Sequence, residues 1–218
     1  MIPPTPDGAG LPALLARQEA VLEQLGERQL VALKGIQGSL SAIEGRLTNG
    51  QAGTERQRLG VFVDVPNVMY AAERMRVTID FAKLLNFLKR DRELLRASAY
   101  APISDDPTAK LETQRFVQPF VGLDYRIVTK ALKRYADGSM KANFDVELAI
   151  DILTMSDRLD VVTLVSGDGD FRRLVDLVAS RGVRVEVVAF AQSMAAELRA
   201  VADESIDIND HLAELRAT

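Results

Sequence analysis

Aspartates follow three of the predicted β-strands of this 218-residue chain, each near the point where the strand ends. Asp64 ends the first strand and is followed by Asn67, whereas Asp145 begins a predicted helix after the third strand. The sequence SGDGD after the fourth strand adds Asp168 and Asp170. Ligands of open parallel sheets bind beyond the carboxyl ends of the strands, so we expect these side chains to share one crevice if the first and fourth strands are neighbours. Such a set of carboxylates suits Mg²⁺ or Mn²⁺.

Each aspartate taken singly also has a structural explanation. Asp145 and Asp170 precede helical patterns and could be helix caps, and Asp168 could belong to a glycine turn. Asp64 is harder to explain in this way, because no helix is predicted directly after it and Pro66 predicts a turn. Several carboxylates in one crevice repel one another, which favours raised pKa values or a bound divalent cation. Jointly, the aspartates favour a metal site.

A basic segment lies close to these aspartates along the chain. Tyr125 and Tyr135 are interleaved with it, so it could hold a phosphodiester backbone and stack exposed bases. The alternative is a solvated loop, as for most runs of charge. A basic segment beside an acidic metal site favours cleavage of a phosphate ester. The basic residues are Arg126, Lys130, Lys133, Arg134 and Lys141.

Composition excludes several kinds of chemistry. The chain has no cysteine and one histidine, His211, which excludes disulfides, thiol nucleophiles and Ser-His-Asp catalysis. A net charge of −4 gives no overall attraction for nucleic acid, so binding depends on local patches. No apolar run approaches the roughly 20 residues that cross a bilayer, and the first residues lack the pattern of a signal peptide. We therefore expect a cytoplasmic protein without a membrane partner.

Hydrophobic periodicity predicts an α/β fold with a parallel sheet of about five strands. Helical patterns separate most of the strands, and an amphipathic stretch covers 107–120. Asp151 lies six residues past Asp145, off the same helical face, so we expect a supporting role through a salt bridge or hydrogen bond. The predicted strands are 59–65, 94–103, 123–130, 160–165 and 183–190, and the predicted helices are 80–90, 145–155 and 170–180.

The composition also predicts the organisation of the whole chain. Residues 1–10 are rich in proline and predict a disordered tip, and 11–47 predict an amphipathic helix. That helix either packs on its own domain or forms a short coiled coil for self-association. A linker at 48–58, the α/β domain at 59–210 and a C-terminal tail at 211–218 complete the prediction.

Three motifs resemble the NYN domain family, the LabA-like branch of the PIN-like nuclease superfamily: VFVDVPNVMY at 61–70, KANFDVELAIDIL at 141–153 and LVSGDGDFRRLV at 164–175. The resemblance implies a PIN-like three-layer fold with neighbouring first and fourth strands and a pocket for one or two divalent ions. Pro66 and Ala142 depart from the usual motifs. The residues matching the family's functional positions are Asp64, Asn67, Asp145, Ser166, Asp168 and Asp170, with the Ser166 hydroxyl steadying a carboxylate or a water.

The function predicted from the sequence is a Mg²⁺- or Mn²⁺-dependent nuclease acting on RNA, with single-stranded DNA as another substrate. In this hypothesis metal-activated water attacks the phosphodiester and the basic segment holds the backbone. The first alternative is a noncatalytic nucleic-acid-binding or regulatory module that self-associates through residues 11–47. The second is a phosphatase or small-nucleotide hydrolase using the same ions.

Overall fold

A computed structural model describes residues 56–106, 108–134, 140–141 and 143–217, with the backbone alone at 133–134 and 140–141. The predictions for 1–10 and 11–47, and most of the predicted linker at 48–58, lie outside these residues. So do Tyr135 and Ala142.

Six parallel strands form the central sheet, and two short strands form a separate antiparallel pair. The strands in chain order are β1 (Arg58–Asp64), β2 (Glu93–Ile103), β3 (Arg126–Ala131), β4 (Lys133–Arg134), β5 (Met140–Lys141), β6 (Val161–Val165), β7 (Arg184–Ala189) and β8 (Glu204–Asp207). The sheet has the order β3-β2-β1-β6-β7-β8, and β4 pairs with β5. The chain thus winds outward from β1 on one side and returns to place β6 on its other side.

The sheet is buried because helices cover both of its faces. The α-helices are α1 (Val65–Arg74), α2 (Phe81–Lys89), α3 (Asp145–Met155), α4 (Arg172–Ala179), α5 (Ala196–Arg199) and α6 (Leu212–Leu215). Apolar residues of α1, α2 and α6 pack into one core layer, and those of α3, α4 and α5 into the other. The strand β6 is buried at every position, which explains why its sequence VVTLV is apolar without alternation. The result is a three-layer α/β domain.

The predicted fold class is confirmed, including the pairing of the first and fourth predicted strands, now β1 and β6. The sixth strand, β8, was not predicted, because it has only four residues and lies half-exposed at the sheet edge. Within the described part of 107–120 only short 3₁₀ turns form, at Leu111–Thr113 and Gln118–Phe120.

Two further differences concern the helix after β1 and the C-terminal end of the domain. The helix α1 begins directly after Asp64, where the sequence predicted only a turn. Pro66 lies in its first turn, where a missing backbone N–H breaks no helical hydrogen bond. At the other end, Leu215 is 1% exposed and the Ala217 amide donates to the Thr78 carbonyl, so the predicted tail packs against the domain.

No helix among the described residues combines the length and the apolar composition that crossing a bilayer requires.

Candidate functional site: an acidic pocket between β1 and β6

Asp64 lies at the end of β1. The chain adds β2 and β3 on one side of β1 and β6, β7 and β8 on the other, so the strand order switches sides between β1 and β6. Its carboxylate caps α1, because one oxygen accepts a 3.4 Å hydrogen bond from the Asn67 amide. The other oxygen accepts a 2.9 Å hydrogen bond from the Ser166 hydroxyl, just beyond β6. The cap is therefore a structural role for Asp64 that sequence reasoning missed, and the same side chain joins the two central strands.

The loop after β6 holds its shape through a chain of hydrogen bonds. The buried Ser166 hydroxyl accepts from the Asp168 amide at 3.2 Å, and the Asp168 carboxylate accepts from the Asp170 amide at 3.0 Å. The Asn67 side-chain oxygen accepts from the Gly167 amide at 3.0 Å, which ties this loop to α1. These bonds leave Asp168 half-buried and Asp170 exposed at the mouth of the crevice.

Gly167 is required by a close backbone approach. A Cβ built on this residue would lie 2.1 Å from the Ser193 carbonyl oxygen, far inside van der Waals contact. The Ala195 amide also donates to the Gly167 carbonyl at 2.9 Å. Only glycine therefore lets the loop that carries Asp168 lie against the segment after β7.

Asp145 reaches the pocket as the first residue of α3, and Phe144, rather than Asp145, is the cap residue. Its carboxylate accepts a 2.8 Å hydrogen bond from the Asn143 side-chain amide, and its backbone amide donates to the Asn143 side-chain oxygen at 2.7 Å. This reciprocal pair orients Asp145 at the start of the helix, where the positive end of the helix dipole favours negative charge.

The structure brings all four aspartates to the wall of one pocket of about 300 Å³. Asn67 and Asn143 complete the polar wall, and the apolar wall consists of Pro66, Tyr70, Pro102, Leu132 and Phe144. The volume is at the lower end of the range for small-molecule sites.

Burial and mutual repulsion raise two of the carboxyl pKa values. Burial raises the pKa of Asp64 to about 6, and the charges of Asp145 and Asp168 add to this, whereas the Ser166 and Asn67 hydrogen bonds oppose it. The pKa of Asp145 is also raised, first by burial and then by the charges of Asp168, Asp170 and Glu147, against the Asn143 hydrogen bond. The pocket therefore concentrates negative charge that a cation would relieve.

Asp151 lies away from the pocket wall. Its carboxylate accepts a 2.7 Å hydrogen bond from the hydroxyl of Tyr100, a fully buried residue of β2. Burial, and then this hydrogen bond, raise the pKa of Tyr100. The contact joins α3 to the sheet beneath it.

The basic segment divides into parts with different surroundings. Arg126 is exposed at the start of β3, whereas Lys130 donates to the Glu147 carboxylate at 2.6 Å and to the Asn143 carbonyl at 3.0 Å. Tyr125 is buried and donates to the Phe81 carbonyl at 3.1 Å, so its ring cannot stack on a base. Lys133, Arg134 and Lys141 lie on β4 and β5, and their side chains are outside the described set.

Sequence reasoning missed several residues of the pocket wall, among them Tyr70 and Asn143. Asn67 and Tyr70 are three residues apart and share a face of α1, so recognition of that helix would have found Tyr70. Asn143 stands two residues before Asp145, a spacing typical of side-chain hydrogen bonds to the backbone at helix starts.

The oxygen donors fit a hard divalent cation in kind, although no group of three or more acidic or histidine side chains in the described ranges is arranged to hold one. Mg²⁺ keeps several waters and is commonly held through one or two carboxylates, so a loosely arranged acidic pocket is compatible with it.

The three-layer fold and the acidic crevice at β1 and β6 define the PIN-like class of α/β domains. A sequence model of the NYN domain matches residues 58–209. The chain belongs to the NYN domain family, a branch of the PIN-like nuclease superfamily.

Two individual proteins are similar to this chain. The chain is 32% identical over 161 residues to the low amplitude and bright protein LabA of Synechococcus elongatus, covering 70% of this chain and 84% of LabA. It is also similar to the crystal structure of a Vibrio parahaemolyticus protein of unknown function, with a TM-score of 0.64 and 27% identity. That similarity covers 75% of this chain and 98% of the other.

Proposed function

We propose that the acidic pocket is the active site of a metal-dependent nuclease that cleaves RNA phosphodiester bonds. The observation that carries the proposal is the position of Asp64, Asp145, Asp168 and Asp170 around one pocket, with raised pKa values at the first two. Membership of the NYN family adds support, because the family belongs to a nuclease superfamily.

The four aspartates would hold Mg²⁺ or Mn²⁺. When bound, the ion supplies an activated water and neutralises the charge that develops on the phosphoryl group. Ser166 and Asn67 fix Asp64 and the loop after β6 by hydrogen bonds, and Asn143 fixes Asp145. These contacts orient Asp64 and Asp145 individually, which lowers the free-energy cost of bringing each carboxylate to a cation.

Positive charge for the phosphodiester backbone would come from the basic segment. Arg126 is exposed, and β4 and β5 bring the backbones of Lys133 and Lys141 opposite each other. Lys130 contributes less, because the Glu147 carboxylate already pairs with it.

The proposal is tested with labelled single-stranded RNA and DNA of matched sequence. We expect the full chain to cleave RNA with Mn²⁺ or Mg²⁺ and to lose that activity when a chelator is added. Equal cleavage with and without the chelator would contradict metal dependence. Hydrolysis of mononucleotides or phosphate monoesters, but not of polymers, would favour the small-nucleotide hydrolase.

The noncatalytic module remains the second candidate, and one observation favours it. Within the described residues, no group of three acidic or histidine side chains is arranged to hold a metal ion. A site that only binds nucleic acid would not need such a group. This candidate predicts RNA binding without cleavage, whether or not a divalent cation is present. It also predicts that sedimentation shows an oligomer for the full chain and a monomer for the chain starting at Arg56.

A further inference from the structure

Tyr70 is an aromatic residue of the pocket wall that the proposed catalytic role does not use. It lies on α1 and is 48% exposed, and it is the one aromatic among the large, exposed apolar side chains of the described residues. Tyr70 lines the same pocket as the four aspartates. An exposed ring beside a phosphoryl-transfer site is placed to contact a part of the substrate other than the phosphate.

Contacts with a neighbouring loop fix the orientation of the ring. The Tyr70 and Phe116 rings form an edge-to-face pair, with centroids 5.6 Å apart and planes inclined by 74°. The Arg115 guanidinium lies 5.5 Å from the centroid of the Tyr70 ring and forms an ion pair with Glu73, one helical turn further along α1. Phe116 is buried, so one neighbour of the Tyr70 ring belongs to the packed core. A ring that is already ordered loses little entropy when it binds a flat partner.

The chemistry of the pocket wall indicates what kind of ligand would contact the Tyr70 ring. The polar wall would bind a phosphate group through a cation, whereas Tyr70 and Pro66 offer apolar surface beside it. A nucleotide joins these two chemistries in one molecule, since every nucleobase has a flat π-face attached through a sugar to a phosphate. Bases within a duplex are already stacked on both faces and cannot use such a ring without being flipped out.

We propose that Tyr70 is a stacking platform for one unpaired nucleobase next to the cleaved phosphate, and that it makes the site selective for single strands. This inference rests on the proposed nuclease function and names a specificity-determining residue for it. The sequence suggested Tyr125 for stacking on a base, but the Tyr125 ring is buried, and Tyr70 would fill this role instead.

Affinity measurements test the platform. We would measure binding of the full chain to a ten-nucleotide oligouridylate and to an abasic oligomer of equal length. Ca²⁺ replaces Mn²⁺ in this assay, because Ca²⁺ also takes oxygen ligands. Loss of one base–aromatic stack predicts that Tyr70→Leu weakens oligouridylate binding by about 5- to 150-fold. We expect no change for the abasic oligomer, and near wild-type affinity for Tyr70→Phe.

A spectroscopic test follows from the absence of tryptophan in this chain. Tyr70→Trp introduces a single reporter, whose fluorescence we expect oligouridylate to quench and the abasic oligomer to leave unchanged. Met75→Trp is the matched control, because Met75 is 37% exposed at the end of α1 and does not line the pocket. Equal quenching of both variants would overturn the platform.

The outcomes separate the two proposals. Cleavage by the wild type, with unchanged oligouridylate affinity in Tyr70→Leu, would overturn the stacking platform and leave the nuclease function standing. Failure of the wild type both to bind oligouridylate and to cleave RNA would overturn both. A thermal unfolding curve for Tyr70→Leu that matches the wild type shows that a lost affinity reflects the ring and not the fold.

Discussion

Asp64 shows how one side chain serves both the fold and the proposed chemistry. It caps α1, accepts a hydrogen bond from Ser166 beyond β6, and lines the acidic pocket. Its pKa of about 6 means that burial disfavours its charged form in the metal-free protein. The fold therefore carries a free-energy cost at neutral pH that a bound cation would offset.

This cost makes the free energy of unfolding depend on pH in a defined direction. The carboxyl pKa is about 6 in the folded chain and near 3.8 when unfolded, so the folded state binds more protons between these values. In the presence of a chelator, we expect wild-type stability to fall relative to Asp64→Asn as pH rises from about 4 to above 6. The change is at most about 3 kcal/mol.

Chemical denaturation of the two proteins at a series of pH values measures this difference. The comparison cancels titrations that both proteins share, and the effect of losing one acceptor oxygen is a constant offset. Parallel stability curves from pH 4 to pH 7 would show that Asp64 titrates normally.

At the scale of elements, the pairing of β1 with β6 followed only from the resemblance to the NYN domain family, whereas the α/β alternation and five of the six sheet strands were predictable from the sequence pattern. Long apolar runs such as 161–165 carry that information because they are buried on both faces. The helix α1 was missed because Pro66 favoured the prediction of a turn, although an aspartate cap followed by proline in the first turn is itself a sequence signal of a helix start. The strand β8 has too few residues for a clear pattern.

The candidate site was predictable only in part, for a similar reason. Its carboxylates follow strand ends, which the sequence marks, and the structure draws them around one pocket. Tyr70 and Asn143 enter the pocket through helix geometry and a local hydrogen bond, and their signals are only the spacing of Tyr70 from Asn67 and of Asn143 from Asp145. Conversely, the basic residues near Tyr125 in the sequence made its ring a candidate for stacking on a base. In the structure, packing against Phe81 and Phe120 buries this ring.

The loop after β6 provides a test at the element scale. Gly167→Ala forces a Cβ against the Ser193 backbone, so we expect a loss of about 1–3 kcal/mol in the free energy of unfolding, together with weaker metal binding. Gly169→Ala is the milder control, because the three atoms nearest to its Cβ belong to side chains, namely the far end of Glu197 and the Ala195 Cβ at 3.1 Å, whereas Gly167 faces backbone. Denaturant unfolding and calorimetric titration with Mn²⁺ measure the two effects, and equal results for both variants would refute the close-approach argument.

At the scale of the whole molecule, the two ends of the sheet have different roles. The carboxyl ends of the strands carry the acidic pocket. At the other end, Arg92 donates two hydrogen bonds of 2.8 and 2.6 Å to Glu186, which is 1% exposed on β7. Thr163 and Arg184 also bind this carboxylate, and these contacts, chiefly the hydrogen bond from Arg92, keep its pKa low despite burial.

Removing one partner of this buried ion pair tests whether the acidic pocket works independently of the opposite end of the sheet. We expect Arg92→Met to lower the free energy of unfolding by about 3 kcal/mol, near the low end for such pairs because Arg184 remains. The cleavage rate per folded molecule should be unchanged, since Arg92 does not line the pocket. A large drop in that rate at full folding would show that the two ends of the sheet are coupled.

The most direct measurement of the central claim is RNA cleavage by Asp168→Asn at saturating Mn²⁺, beside the wild type and Asp157→Asn. Asp157 is an exposed carboxylate at the end of α3 and does not line the pocket, so its variant controls for the loss of one charge. We expect Asp168→Asn to lose more than the roughly 10- to 100-fold that removal of an indirect metal contact costs. Asp157→Asn should retain full activity. Wild-type rates in Asp168→Asn would contradict the assignment of this pocket as the nuclease site.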